Sequence, residues 1–174
     1  AMGAPADAFV QHRSCRVQQQ RERRNEPLEE AASPVAGDTL HVVDVATREF
    51  AGKGLSGARV DAIAARTKTS KRMIYYYFGS KEGLYIAVLE AAYRSIRSIE
   101  VSLDLAHQPP EAALRALVAF TFDYQNAHPE FVRLVMNENI LNAAYLARSR
   151  TIRELNNAVI DTLRELVRRG QAAG

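Results

Sequence analysis

From residue 39 to residue 170 the apolar side chains recur every third or fourth position, and nowhere do they alternate for more than a few residues. The first spacing lays apolar groups along one face of a helix, whereas a half-buried strand needs a spacing of two. No Asn-Gly dipeptide, the usual mark of a tight hairpin, occurs anywhere in the chain. The expectation is an all-α fold.

The punctuation divides this region into short helices. A first helix is expected from about Thr39 to Lys53, with Val42, Val43, Ala46 and Phe50 on one stripe and Gly54 closing it. A second, about Ala58 to Arg66, turns Val60, Ile63 and Ala64 inward. After the polar residues Thr67 to Thr69, Ser70 can cap a third helix of about seven residues that ends at Gly79. Ser80 then caps a longer helix to about Leu103, with Leu84, Val88, Ala91, Ala92, Ile96 and Ile99 on its buried side. Pro110 opens the next, through about Ala127, with Leu114, Leu117, Val118, Thr121 and Tyr124 in register. Two short helices, Phe131 to Met136 and Asn137 to Ala147, precede a last one from Thr151 to Arg169. That last helix carries a near-heptad seam of Ile152, Leu155, Val159, Leu163 and Leu166, with Gly170 at its end. Residues 1–38 show no sustained period and are expected to form a mostly disordered arm.

Charge is unevenly spread. Net charge is only +3, yet residues 39–85 hold 8 basic and 4 acidic residues, and all four lysines (Lys53, Lys68, Lys71, Lys81) lie there. Such asymmetry fits a small nucleic-acid-binding module joined to a neutral body, or else a solvated basic face. The segment from Arg13 to Arg24 has five arginines against one glutamate, as in a DNA-tracking arm or a solvated tail.

The most informative stretch is SKRMIYYYFGSKEGLY, residues 70–85. Neighbours on a helix lie about 100° apart, so Tyr75, Tyr76 and Tyr77 cannot all face a core. Ile74 and Phe78, four apart, face inward by angle, leaving Tyr75 and Tyr76 to project outward and Tyr77 to one side. A helix presented across a tight turn can enter a major groove. Ser70, Lys71 and Arg72 would stand at its exposed start, where backbone N–H groups also face an anion. Lys71 or Arg72 could donate to guanine O6 and N7, and the tyrosines could bond phosphate or pack on sugar. Lys81 begins the next helix, where a cation opposes the helix dipole and a phosphate would offset it.

Enzymatic motifs are missing: no His-Glu-x-x-His, no phosphate-binding glycine loop, no Gly-x-Ser-x-Gly. His12, His41, His107 and His128 are scattered without metal-ligand spacing, and Cys15 is the single cysteine. The chain is therefore expected not to be an enzyme and to carry no metal or cofactor. With no run of about 20 apolar residues and no disulfide, a cytoplasmic location without membrane partners is expected.

The ordered set Val42-Val43-x-Val45-Ala46-x-x-x-Phe50 with Gly54, then Val60-x-x-Ile63-Ala64, then Ile74-Tyr75-x-Tyr77-Phe78-x-Ser80-Lys81-x-x-Leu84 resembles the DNA-binding domain of the tetracycline-repressor (TetR/AcrR) family of transcriptional regulators. The resemblance implies a three-helix helix-turn-helix domain over 39–85 and a helical ligand-binding and dimerisation domain over 86–174. It implies a homodimer on double-stranded operator DNA, most simply a repressor released by a small-molecule effector. Ser70, Lys71, Arg72, Tyr75 and Tyr76 would face bases or nearby phosphates, Tyr77 and Lys81 would hold the backbone, and Arg59 would touch phosphate. Thr67-Lys68-Thr69 stands where the family often has Ala-Gly-Val, so Lys68 would need a left-handed backbone while adding a cation to the groove side. Met73 replaces a residue that is often small. Phe120, Tyr124, Phe131, Met136, Asn137 and Asn139 are candidates to line an effector cavity. The second of the two late helices through which family members pair is not found before Gly174, so the chain is read as a fragment or as a dimer built differently. The alternatives are a constitutive DNA binder without effector response and a truncated helical interaction module.

Overall fold

Pro34 opens the first helix, where its fixed φ and missing N–H cost nothing. A computed structural model of the chain describes residues 34–173; the Arg-rich segment 13–24 lies outside the described residues. Helix α1 spans Pro34–Gly57 and thus starts before the boundary expected at residue 39. It breaks at Gly54 (φ 67, ψ 175), a backbone region open in practice only to glycine. Further helices follow: α2 Val60–Thr67, α3 Lys71–Phe78, α4 Lys81–Val101, α5 Pro110–Ala127 and α6 Pro129–Ile140. A 3-10 turn at Leu146–Arg148 leads into α7, Arg150–Ala173. No strand occurs among the described residues.

One contiguous core draws on each of these helices. Val42, Ala46 and Phe50 of α1 meet Val60 and Ile63 of α2, Ile74 of α3 and Leu84, Tyr85 and Val88 of α4. Tyr124, Phe131, Leu134 and Ile152 extend it into α5, α6 and α7. The Tyr85 ring sits at the centre, edge-on to Phe50 at 5.0 Å and to Tyr145 at 5.4 Å. Edge-on packing suits the ring quadrupoles. A smaller cluster of Leu105, Ala113, Leu117 and Leu166 closes the far end.

Several expected faces are displaced. On α5 the buried stripe is Ala113, Leu117 and Tyr124, while Leu114 and Val118 are exposed. On α4, Tyr85, Leu89 and Tyr93 are buried, whereas Ile99 is exposed and its neighbour Glu100 is inside. The break expected between Met136 and Asn137 is absent: α6 continues to Ile140. Glu138, fully buried at its end, accepts the backbone N–H groups of Tyr145 (3.1 Å) and Leu146 (2.9 Å). Gly170 does not stop α7, since a glycine interior costs only about 1 kcal/mol against alanine.

Candidate nucleic-acid interface

The interface is assembled from α2, its turn, α3 and the start of α4. Val60, Ile63 and Ala64 anchor α2, and Thr67, itself buried, closes the helix by donating to Ile63 O at 3.0 Å. Lys68 then adopts φ 55, ψ 23, the left-handed conformation expected for it, and its N–H bonds Ala64 O. Ser70 caps α3 by accepting from the Met73 N–H at 3.2 Å. Ile74 is fully buried and Phe78 packs against the core. Gly79 (φ 73) ends the helix with its N–H on Tyr75 O, and Ser80 caps α4 through the Gly83 N–H.

Anchoring by Ile74 and Phe78 leaves the rest of α3 outward. Tyr76 is 77% exposed, while Tyr75 and Tyr77 are just over a third exposed and rest part of each ring on the protein. The Tyr76 and Tyr77 rings meet edge-on at 5.3 Å, which fixes the two phenols relative to each other. Arg59, Lys68, Ser70, Lys71 and Arg72 are exposed and Lys81 is half-buried.

The cations are not equally available. Lys71 bridges Asp61 at 2.9 Å and lies 6.0 Å from the Tyr75 ring centre. Lys81 donates to Ser56 O at 3.2 Å, tying α4 to the chain just after the α1 break. Lys53 is bonded to Glu49 at 2.6 Å, and Arg66 approaches the other carboxylate oxygen at 3.9 Å. Neither Lys68 nor Arg72 makes an ion pair or side-chain hydrogen bond among the described residues. Arg72, exposed in the first turn of α3, and Arg59, exposed at the edge of α2 and likewise unpaired through its side chain among the described residues, are thus the guanidinium groups of the interface free to meet a ligand.

Glu49, only 5% exposed, was not singled out by the sequence, yet it braces the unit. Its Oε1 also accepts the Arg59 N–H at 3.4 Å, serving α2 from a neighbouring helix because Arg59 offers no side-chain cap. The Lys53 bond holds the Glu49 carboxyl below its ordinary 4.5, against the opposing effect of burial. A carboxyl with a depressed folded pKa stabilises above its unfolded pKa, and that contribution is lost as pH falls through the folded value. Glu49→Gln is therefore expected to lower stability by about 1 kcal/mol at neutral pH. Below 4.5 the difference from the unaltered chain should shrink, which urea titrations at a series of pH values would follow.

Of the residues expected to line an effector cavity, Phe120, Tyr124 and Phe131 meet ring to ring across α5 and α6. Phe120, Tyr124 and Phe131 pack in or against the core, with the Tyr124 hydroxyl donating to Ser95 Oγ at 3.2 Å. Asn137 donates to Phe50 O at 3.3 Å, and Met136 and Asn139 are exposed. A cavity of about 610 Å³ lies elsewhere, between α4, the α4–α5 connection, α5 and α7. Val101, Leu105, Leu117, Leu155 and Val159 form apolar walls. One polar wall is Arg97, whose Nη1 bonds both oxygens of buried Glu100 (2.7 and 2.6 Å) and whose Nη2 donates to Asn156 at 2.9 Å.

Residues 42–88 match the family model for the N-terminal domain of the bacterial TetR regulatory proteins, and residues 110–174 match a tetracycline-repressor-like C-terminal domain. The two matches together take in more than half of the chain. The chain belongs to the TetR family. This TetR-family chain is 41% identical over 134 residues to the transcriptional repressor NicS of Pseudomonas putida, covering 77% of this chain and 63% of that protein. It is 32% identical over 110 residues to the repressor SCO4008 of Streptomyces coelicolor, across 63% of this chain and 54% of the other. It therefore spans less than two thirds of the length of these relatives. Among solved structures, SCO4942 of Streptomyces coelicolor superposes with a TM-score of 0.56 at 32% identity, covering 75% of this chain and 65% of that one. A TetR-like regulator from Rhodococcus sp. RHA1 gives a TM-score of 0.64 at 19% identity, covering 78% and 72%, a likeness of fold alone.

Proposed function

We propose that the protein is a sequence-specific DNA-binding regulator, acting as a repressor through a homodimer that presents two copies of α3 to an operator. The observation that carries this reading is the exposed start of α3. There Ser70, Lys71, Arg72, Tyr75 and Tyr76 stand outward on a helix pinned from behind by Ile74 and Phe78. Arg72 would read a base, Lys68 and Arg59 would contact phosphates, and Tyr77 with Lys81 would hold the flanking backbone. Residues 39–85 would form the DNA-binding part and 86–174 the part that binds effector and pairs with a second copy. Exposed Leu114, Val118 and Phe122, four apart on α5, support self-association, since a contiguous apolar stripe is seldom left in water. The cavity beside Arg97 and Glu100 supports a small-molecule effector that shifts the dimer between DNA-binding and released states.

The reading is tested by selecting duplexes from a random library with this chain and titrating the enriched duplex at low and physiological salt. Salt-dependent binding with a preference over scrambled sequence is expected; binding without preference, or none, overturns it. The combined change of Tyr77→Phe and Lys81→Ala should weaken enriched and scrambled duplexes alike and flatten the salt slope by about 0.9 for each phosphate no longer neutralised. A weakening confined to the enriched duplex would instead place these two residues at the bases. A chain that binds DNA but is released by no small molecule fits a constitutive binder.

A further inference from the structure

We infer that Asp61 is a positioning residue for DNA reading: it holds the Lys71 ammonium for a base edge and withholds it from the phosphate backbone. The inference rests on the DNA-binding reading above. Asp61 lies in the first turn of α2 and Lys71 opens α3, so their 2.9 Å contact joins the two helices across the turn. Arg59, at the N-terminal edge of α2, places a second positive charge near both. The Lys71 hydrogen bond and charge depress the Asp61 carboxyl below its ordinary 3.8, and the same bond raises the Lys71 ammonium.

Stability does not account for the pair. Both side chains are about half exposed, at 49% and 57%, and such surface pairs add little to folding. What remains is a carboxylate on the face that approaches a polyanion. If Lys71 left Asp61 for a phosphate, the uncompensated carboxylate would be brought beside the backbone charge, an arrangement that like-charge repulsion disfavours. A lysine ammonium has three N–H donors, however. One can stay on Asp61 while another reaches O6 or N7 of a guanine, so a guanine at that place can be read without breaking the pair. The 6.0 Å approach of the ammonium to the Tyr75 ring further narrows where it can point. Asp61 would thus trade backbone affinity for discrimination.

The test compares the unaltered chain with Asp61→Asn, Lys71→Ala and the double variant on an enriched duplex and a scrambled one, each across a salt series. Asp61→Asn should bind the scrambled duplex several-fold tighter at low salt. Its salt slope should steepen by about 0.9 for each lysine released to phosphate. The ratio of enriched to scrambled affinity should fall about tenfold, within the range that one misread base pair produces. In the double variant the added slope should vanish, because no ammonium is left to release. A merely structural Asp61 would weaken both duplexes together without changing the slope, and that result, or an unchanged ratio, overturns the proposal. Absence of salt-dependent binding by the unaltered chain overturns the DNA-binding reading itself, whereas normal binding with an unresponsive Asp61→Asn overturns this inference alone.

Discussion

Gly83→Ala should abolish most of the affinity for an enriched duplex, by at least tenfold, although residue 83 is not among those proposed to contact DNA. A Cβ at this position would overlap Phe78 O and stand 3.2 Å from Phe78 C, and both are backbone atoms that cannot swing aside. The Phe78 carbonyl is further held by the Ser80 N–H at 2.8 Å. Relief therefore requires the C-terminal end of α3 to move off α4, carrying Tyr75, Tyr76 and Tyr77 with it. Each well-placed base contact is worth about 1–3 kcal/mol, and several depend on that one helix. Overpacking should also lower stability by about 1–3 kcal/mol, partly offset by the better helix propensity of alanine. Gly52→Ala is the matched control, since nothing lies within 4 Å of its added Cβ. It should leave binding unchanged and stabilise α1 by up to about 1 kcal/mol. Equal affinities for the two variants, measured by anisotropy on the same duplex, would contradict the close approach of α3 and α4.

Glu138→Ala is the second large effect, expected to remove about 2–4 kcal/mol of folding stability by stranding two part-buried backbone donors and emptying a fully buried site. The carboxylate is fully buried, and its Oε2 serves the N–H groups of Tyr145 and Leu146, so it holds the segment after α6 against the core. Its Oε1 has no hydrogen-bond partner, nor has the buried hydroxyl of Tyr85. Burial raises the Tyr85 phenol well above its ordinary value of 10.0, and the Glu138 charge adds to that. The two groups sense each other without closing a bond. Glu138→Gln is therefore expected to lose far less, within about 1 kcal/mol. Its amide oxygen can still accept the two N–H groups, its NH2 can donate to the Tyr85 oxygen, and the buried charge is gone. Urea denaturation at neutral pH ranks the pair, and a glutamine variant as damaged as the alanine one would show that the charge itself is required.

Much of this was legible in the residues. The three-helix unit was clear because its caps are local: Ser70 and Ser80 each bond an N–H three residues on, and Gly54 and Gly79 take backbone conformations that their missing side chains permit. The outward tyrosines followed from helix angle alone once Ile74 and Phe78 were assigned inside. What escaped were groups whose meaning depends on a distant partner. Asp61 and Lys71 are ten positions apart, Glu49 and the Arg59 N–H also ten, and no helical spacing joins them. Glu100 and Glu138 are charged residues that are nonetheless buried, Glu100 held by Arg97 and one oxygen of Glu138 by the 145–146 amides. On α5 two apolar stripes lie side by side, one through Ala113, Leu117 and Tyr124 and one through Leu114 and Val118. Periodicity cannot choose between them; only the position of α7 and α4 does. Gly83 carried a usable sign, since a glycine in a first helical turn sacrifices propensity and invites the question of what it must clear.

The left-handed backbone of Lys68 has a consequence for how the sequence can drift. At φ 55 a lysine is strained where glycine or asparagine would be at ease. Random substitution toward either residue would relax the turn and be welcomed by folding, at the loss of a cation. A lysine kept there trades that ease for a cation beside α3. Position 68 becomes a natural gauge: among descendants of this sequence, keeping the strained residue would report continued use of the charge, and relaxation to glycine would report that the use had lapsed.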